Sequence, residues 1–156
     1  MHIIYHCYGG AHSSVTAASI HLGLISPQKL PTAEEIMSLP FYDVPTQQEH
    51  GFLRFLGSDQ KGNRIYIVGR RGLKKCFPAL VESLAGLLEI PKEELLIVDT
   101  VPHVNWMMML GGYLSRRLGV VSLGRPLVIR GTLKAYPDFV NLVRGIQAKT
   151  EGATTI

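Results

Sequence analysis

The chain has 156 residues, 46% hydrophobic and 18% charged, with a net charge of +4 at pH 7; this fits one compact globular domain with a full core. The charges are spread out apart from Arg70-Arg71, Lys74-Lys75 and Arg116-Arg117, so no basic stripe or basic–aromatic motif points to nucleic acid. Cys7 and Cys76 form neither a disulfide framework nor a CxxC pair, no leader pattern stands at the start, and no apolar run approaches the roughly 20 residues of a membrane helix, so a reduced, cytoplasmic, non-membrane protein is expected.

Residues 2–8 are β-branched and aromatic and run into Gly9-Gly10, which reads as a short strand and a turn. Residues 15–23 then read as a helix, with Ser13 or Ser14 as its cap. Thr32-Ala33-Glu34-Glu35 is a capping box that opens a short helix, ended by Pro40. Residues 41–49 show no clear period and read as irregular. Two β-prone runs, 52–57 and 64–69, flank a polar loop with glycine and read as a hairpin. Its second run ends at Arg70 and Arg71.

Leu80, Val81, Leu84, Leu87 and Leu88 lie on one face of a helix over about 78–89. Residues 95–98 form a continuous apolar strand that ends at Asp99. A strand without alternation is expected to be buried on both faces, as in a parallel sheet. Residues 105–118 read as a helix with Trp106, Met109, Leu110 and Tyr113 available to the core. Each glycine of Gly111-Gly112 costs a helix about 1 kcal/mol against alanine, which predicts close packing against another backbone. Arg116 and Arg117 read as a solvated helix end. Residues 126–130 read as a last strand ending in Arg130, and 137–147 as a last helix that could begin a turn earlier, at Thr132. The domain is expected to span 1–148, with a flexible polar tail over 149–156.

Alternating strands and helices predict an α/β three-layer sandwich with a mainly parallel sheet, P-loop-like or Rossmann-like. Ligands of such sheets bind beyond the carboxyl ends of the strands. Those ends would carry Gly9, Gly10, Ser13, Ser14, Arg70, Arg71, Asp99, His103 and Arg130. A strand, a glycine turn and a helix start aim free amides and a helix dipole at one point, which suits phosphate.

Three chemistries compete for residues 6–14. In the register of GxxxxGK[ST], His6 and Ala11 take the glycine positions, His12 the lysine and Ser13 the hydroxyl, with Asp99 as the partner of a magnesium ion that comes with a nucleotide. This layout resembles that of P-loop nucleotide-binding proteins but departs from it at both glycines and at the lysine. Alternatively, Cys7 to Ser14 is similar to the loop of low-molecular-weight tyrosine phosphatases. Cys7 then stands as nucleophile, but Ser13 stands where an arginine should grip the phosphoryl oxygens. The third candidate is a metal site drawn from His6, Cys7, His12 and His103. His2 and His6, with HxxxH spacing on a strand, stand roughly 13 Å apart and cannot share an ion.

The motifs of residues 8–14, 20–23, 105–106, 111–116 and 124–126 resemble an uncharacterised bacterial domain-of-unknown-function family, known mostly from spore-forming bacteria, over nearly the whole chain. That resemblance implies a bacterial cytoplasmic protein and no particular substrate. The expected function is binding of a phosphorylated small molecule or nucleotide at the first turn, with phosphoryl transfer or hydrolysis as the accompanying chemistry. Gly9, Gly10, Ser13 and Ser14 would cradle the anion, His12 would add a switchable charge, and Arg70 or Arg130 would neutralise more. The alternative is a non-catalytic interaction module whose methionine-rich helix supports homo-oligomers. A phosphatase that uses Cys7 is the third.

Overall fold

A computed structural model describes residues 1–152. Its order is β1 (His2–Cys7), α1 (Ser13–His21), α2 (Ala33–Met37), β2 (Arg54–Ser58), β3 (Arg64–Gly69), α3 (Cys76–Leu87), β4 (Leu95–Asp99), α4 (Trp106–Gly112) and α5 (Val121–Gly152). The strands form one sheet in the order β2-β3-β1-β4, with β1 parallel to both neighbours and β2 antiparallel to β3. The hairpin of residues 54–69 is therefore part of the main sheet. Period-2 alternation divides β1 between two cores. Ile3 and Tyr5 pack with α1 and α5, and Ile4 packs with Val68 of β3 and Phe77 of α3. Three layers result, α3 on one face and α1 with α5 on the other.

The wholly buried strand is β1, not β4. Residues 3–7 of β1 are all buried, whereas β4 buries only Val98. The apolar run of β4 stands at the sheet edge, so it gains one neighbouring strand and not two.

Helix α1 is buried all round. Its Ala, Ser and Thr residues let it lie close between the sheet and α5, and most of its polar side chains have partners. His21 Nδ1 lies 2.7 Å from the Tyr5 hydroxyl, and its Nε2 lies 3.2 Å from Asp59 Oδ2, which ties the hairpin loop to the helix. The N-cap is His12, without a side-chain bond, and not Ser13 or Ser14, which already lie in the first turn. The Thr32 capping box is present in both directions, with Glu35 N–H donating to Thr32 Oγ1 and Thr32 N–H to Glu35 Oε2.

The expected last strand, 126–130, is helical. It belongs to α5, which continues through the start of the expected tail to Gly152; residues 153–156 lie outside those described. Leu127-Val128-Ile129 has strand propensity, but the buried positions Gly124, Val128, Gly131, Thr132, Ala135, Phe139, Val143 and Ile146 recur at three and four, a helical stripe across the predicted break. Pro126 and Pro137 are tolerated because both are exposed. The carbonyls they leave unpaired, four residues back, are those of the exposed Ser122 and the half-buried Leu133.

Helices α4 and α5 meet through glycine. A Cβ on Gly111 would lie 2.4 Å from Val128 N, and one on Gly124 2.4 Å from Ser115 N. Gly112 serves another neighbour: its Cβ would stand 3.3 Å from the His12 ring. Gly111→Ala is expected to cost about 2–3 kcal/mol, because the clash is with backbone that no rotamer can relieve. Gly145→Ala, in open space on α5, should be neutral or stabilising by up to about 1 kcal/mol. Urea melts of the two variants check the contrast.

Candidate functional site

The ends of β1, β3 and β4 converge as strand direction requires. Gly10 has φ +69°, and a Cβ there would lie 2.5 Å from Gly69 N; a Cβ on Gly69 would lie 2.6 Å from the Gly9 carbonyl. Glycine is thus needed at 10 and 69 because the turn lies against the end of β3. Within the turn the Gly10 amide donates to Cys7 Sγ at 3.1 Å, and Ser14 Oγ lies 3.3 Å from the same sulfur. Ser13 Oγ is 2.9 Å from Thr100 Oγ1, which also reaches the His6 carbonyl at 2.9 Å. Both serine hydroxyls, expected to face an anion, are engaged inside the protein.

The amides behind them are not. The first helical amide bond runs from Thr16 N–H to the His12 carbonyl, 2.8 Å. Among the described residues the amides of Ser13, Ser14 and Val15 have no acceptor, and the first turn carries no acidic side chain. All three residues are buried. Buried N–H groups without acceptors are rare, and an unpaired one costs about 1–3 kcal/mol.

His12 does not stand free beside these amides. Its Nε2 lies 3.0 Å from Oδ1 of Asp43, a fully buried carboxylate. Asp43 also accepts Ser115 Oγ at 2.9 and 3.0 Å and Arg125 Nε at 2.8 Å, with Arg116 Nε 3.1 Å away. Burial alone would raise its pKa; the hydrogen bonds from His12, Arg125 and Ser115, with the nearby His12 charge, hold the carboxyl far below the usual range instead. Its backbone has φ +53°, and its amide donates to the Ala11 carbonyl at 2.9 Å, which clamps the segment to the first turn. After α4 the chain makes a π turn over Tyr113–Arg117; Ser115 and Arg116 from that turn meet Asp43. Such wide turns frequently mark functional sites. Arg116 is therefore no solvated helix end. This hub escaped sequence reading. Asp43 sits in the stretch without a period, and its partners are spread from position 12 to position 125.

Arg70 and Asp99 come together beneath His6. Arg70 Nε donates to His6 Nδ1 at 3.2 Å, so the neutral ring carries its proton on Nε2. Burial lowers the His6 pKa; Asp99 opposes that effect and Arg70 adds to it. Arg70 Nη2 lies 3.5 Å from Asp99 Oδ2, and His6 Nδ1 lies 3.7 Å from Asp99 Oδ1. Asp99 is half-exposed and accepts the Val101 amide at 2.9 Å. With a guanidinium on its carboxylate, Asp99 does not fit a resident divalent ion. No group of three His, Cys, Asp or Glu side chains suited to a metal occurs among the described residues. His103, one of the candidate metal ligands, packs on Phe139, ring centroids 6.2 Å apart. Arg130 leaves the site: it is exposed on α5, beside Leu133 and Ala33 in a shallow depression. The strand that would have carried it to the sheet edge is a helix.

No curated protein and no solved structure matches the chain, and no described helix is long and apolar enough to cross a membrane. A family model does match, over residues 2–148, nearly the full length. Residues 2–148 take in the first turn, Asp43 with its four partners and the His6–Arg70–Asp99 group, so the site as a whole falls inside the match. On that evidence the chain belongs to the family described as protein of unknown function (DUF3189).

Proposed function

We propose that the protein binds a phosphorylated small molecule or nucleotide at the turn between β1 and α1. The observation that carries this reading is the row of three buried amides, Ser13, Ser14 and Val15, with no acceptor among the described residues. A phosphate oxygen supplies the missing acceptor and sits at the positive end of the α1 dipole. The Gly9-Gly10 turn would approach the ligand by its backbone. Arg70 lies next along the sheet edge, its own amide donating to the Cys7 carbonyl at 2.9 Å. His12, anchored on Asp43, would set the position of the turn and add positive charge when protonated.

Isothermal titration with inorganic phosphate and a nucleotide panel, with and without magnesium, tests the reading, together with amide NMR. Saturable heat and shifts confined to the amides of residues 9–15 are expected, with weaker binding in His12→Ala. A flat panel, with those amides unmoved at millimolar phosphate, would remove it.

Phosphoryl transfer has one specific support, the position of Cys7 Sγ at the centre of the turn with Gly10 N–H and Ser14 Oγ on it. Sulfur so placed would attack a phosphoryl group held on the helix amides as the ester P–O bond breaks and the alcohol leaves, and water would then release phosphate from the phosphocysteine. An aryl phosphate assay of wild type and Cys7→Ser decides this, and equal rates end it. The non-catalytic reading is favoured by α4, where Trp106 is 64% and Met109 67% exposed and not in the core as expected. Sedimentation velocity on wild type and Trp106→Ala tests for self-association through that face.

A further inference from the structure

Helix α3 carries an apolar face that its own fold does not cover. Of its twelve residues only Phe77 and Ala85 are buried. Leu84 remains 49% and Leu88 72% exposed. The face looks across a cleft of about 980 Å³ to Ile4, Val68 and Leu95 on the sheet. That volume is at the upper end of small-molecule sites, which are mostly apolar with a few placed polar groups. The cleft lies on the opposite side of the sheet from α1 and meets the first turn only at its end, where Tyr8, Gly69 and Arg70 line it.

Its charge is one-sided. The residues that line it include two charged side chains, Arg70 and Arg71, and no Asp, Glu or Lys. The two arginines are adjacent at the end of β3. Arg70 is held by its Nε bond to His6, while its terminal nitrogens make only long contacts, 3.4 Å to the Arg71 carbonyl and 3.5 Å to Asp99. His50 also lines the cleft, and its Nδ1 is buried without a hydrogen-bond partner among the described residues. Burial, and then the charge of Arg71, lowers the His50 pKa, which fits a neutral ring able to donate to or accept from a ligand. An apolar trough that ends in two adjacent guanidinium groups, only one of them in contact with a carboxylate and that at 3.5 Å, is complementary to a molecule with an apolar body and one anionic head.

We propose that the cleft between α3 and the sheet binds a monomeric amphipathic anion, an acyl or alkyl chain lying between Leu84 and Val68 with its carboxylate or phosphate on Arg70 and Arg71. Walls on both sides suit a single chain, not a flat bilayer surface. The site does not depend on the phosphate reading of the first turn.

Isothermal titration of the full chain with dodecanoate and dodecyl phosphate, below micelle-forming concentrations, is the test. Saturable binding is expected, with dodecanol at least about tenfold weaker because it leaves the guanidinium groups without an anion. Leu84→Asp, at a half-exposed position that tolerates charge, should weaken both ligands by about tenfold or more. Arg71 has φ +49°, so Arg71→Asn, which tolerates that conformation, removes the charge and should weaken binding by about tenfold. Thermal melts verify that the variants fold. The proposal is overturned by absence of binding, by equal affinity for dodecanol, or by affinities unchanged in both variants. It is also overturned by adsorption to anionic vesicles without uptake of free dodecanoate, or by a dimer that Leu84→Asp dissociates in a protein that takes up no alkyl anion. Shifts of the Ser13–Val15 amides with inorganic phosphate, followed in Leu84→Asp, report on the first turn separately, so failure of either site is visible without the other.

Discussion

Asp43→Asn is expected to destabilise the protein by about 3 kcal/mol and to lower its melting temperature by about 6–12 °C. Asp43 has no exposed side-chain surface and faces His12, Arg116 and Arg125. Removing the acidic member of a buried ion pair costs about 3–5 kcal/mol because the cations lose their compensation. The lower end applies because the guanidinium groups are partly reached by solvent. For a chain of this length each kcal/mol shifts the melting temperature by about 2–4 °C. The effect has a pH signature. The folded pKa of Asp43 lies below its unfolded value of about 3.9, so the carboxylate's stabilisation is complete well above that value. It is lost as pH falls through about 4 toward the folded value. The gap in melting temperature between wild type and Asp43→Asn should therefore be widest near neutrality and shrink in acid; a gap constant from pH 7 to pH 3 would show that Asp43 is not the charged centre of the hub.

Gly10→Ala is expected to cost a similar amount, about 3 kcal/mol, and to disturb the first turn as well. Two penalties add. Gly10 has φ +69°, which an L side chain adopts at a cost, and the new Cβ would meet the Gly69 amide at 2.5 Å. Gly62 separates them, since it has φ +78° with nothing within 4 Å. Gly62→Ala should show the conformational penalty alone, about 1 kcal/mol. Thermal melts give the difference, and amide shifts at Ser13 and Ser14 show whether the turn has moved off β3. Equal losses at the two positions would mean that the turn does not rest on Gly69.

Much of this architecture is written locally. The β-branched run before Gly9-Gly10, the Thr32 capping box, the two halves of the hairpin and the apolar face of α3 each sit in a window of about ten residues, and each forms the element its pattern predicts. Residues 126–130 were misleading for a local reason: Leu127-Val128-Ile129 is β-prone, and a proline precedes it. The longer stripe from Gly124 to Ile146 overrides that preference, because burying one helix face against α1 and α4 outweighs a propensity difference of a few tenths of a kcal/mol per residue. The Gly111-Gly112 pair was legible as a close approach, but not the identity of what approaches, the backbone of Val128 and the ring of His12.

The order of elements from β1 to α4, the α/β class and the glycine turn that opens α1 are thus properties of the sequence alone, because propensity, capping and hydrophobic period act between near neighbours. The tertiary structure alone decided that β1 and not β4 is the enclosed strand, that His12 is tethered to Asp43, that Arg130 lies far from the sheet edge where Arg70 remains, and that α3 stands over an open cleft. Each depends on groups tens of residues apart meeting in space, and the strength of a buried charge contact is set by burial and geometry, which no spacing along the chain encodes.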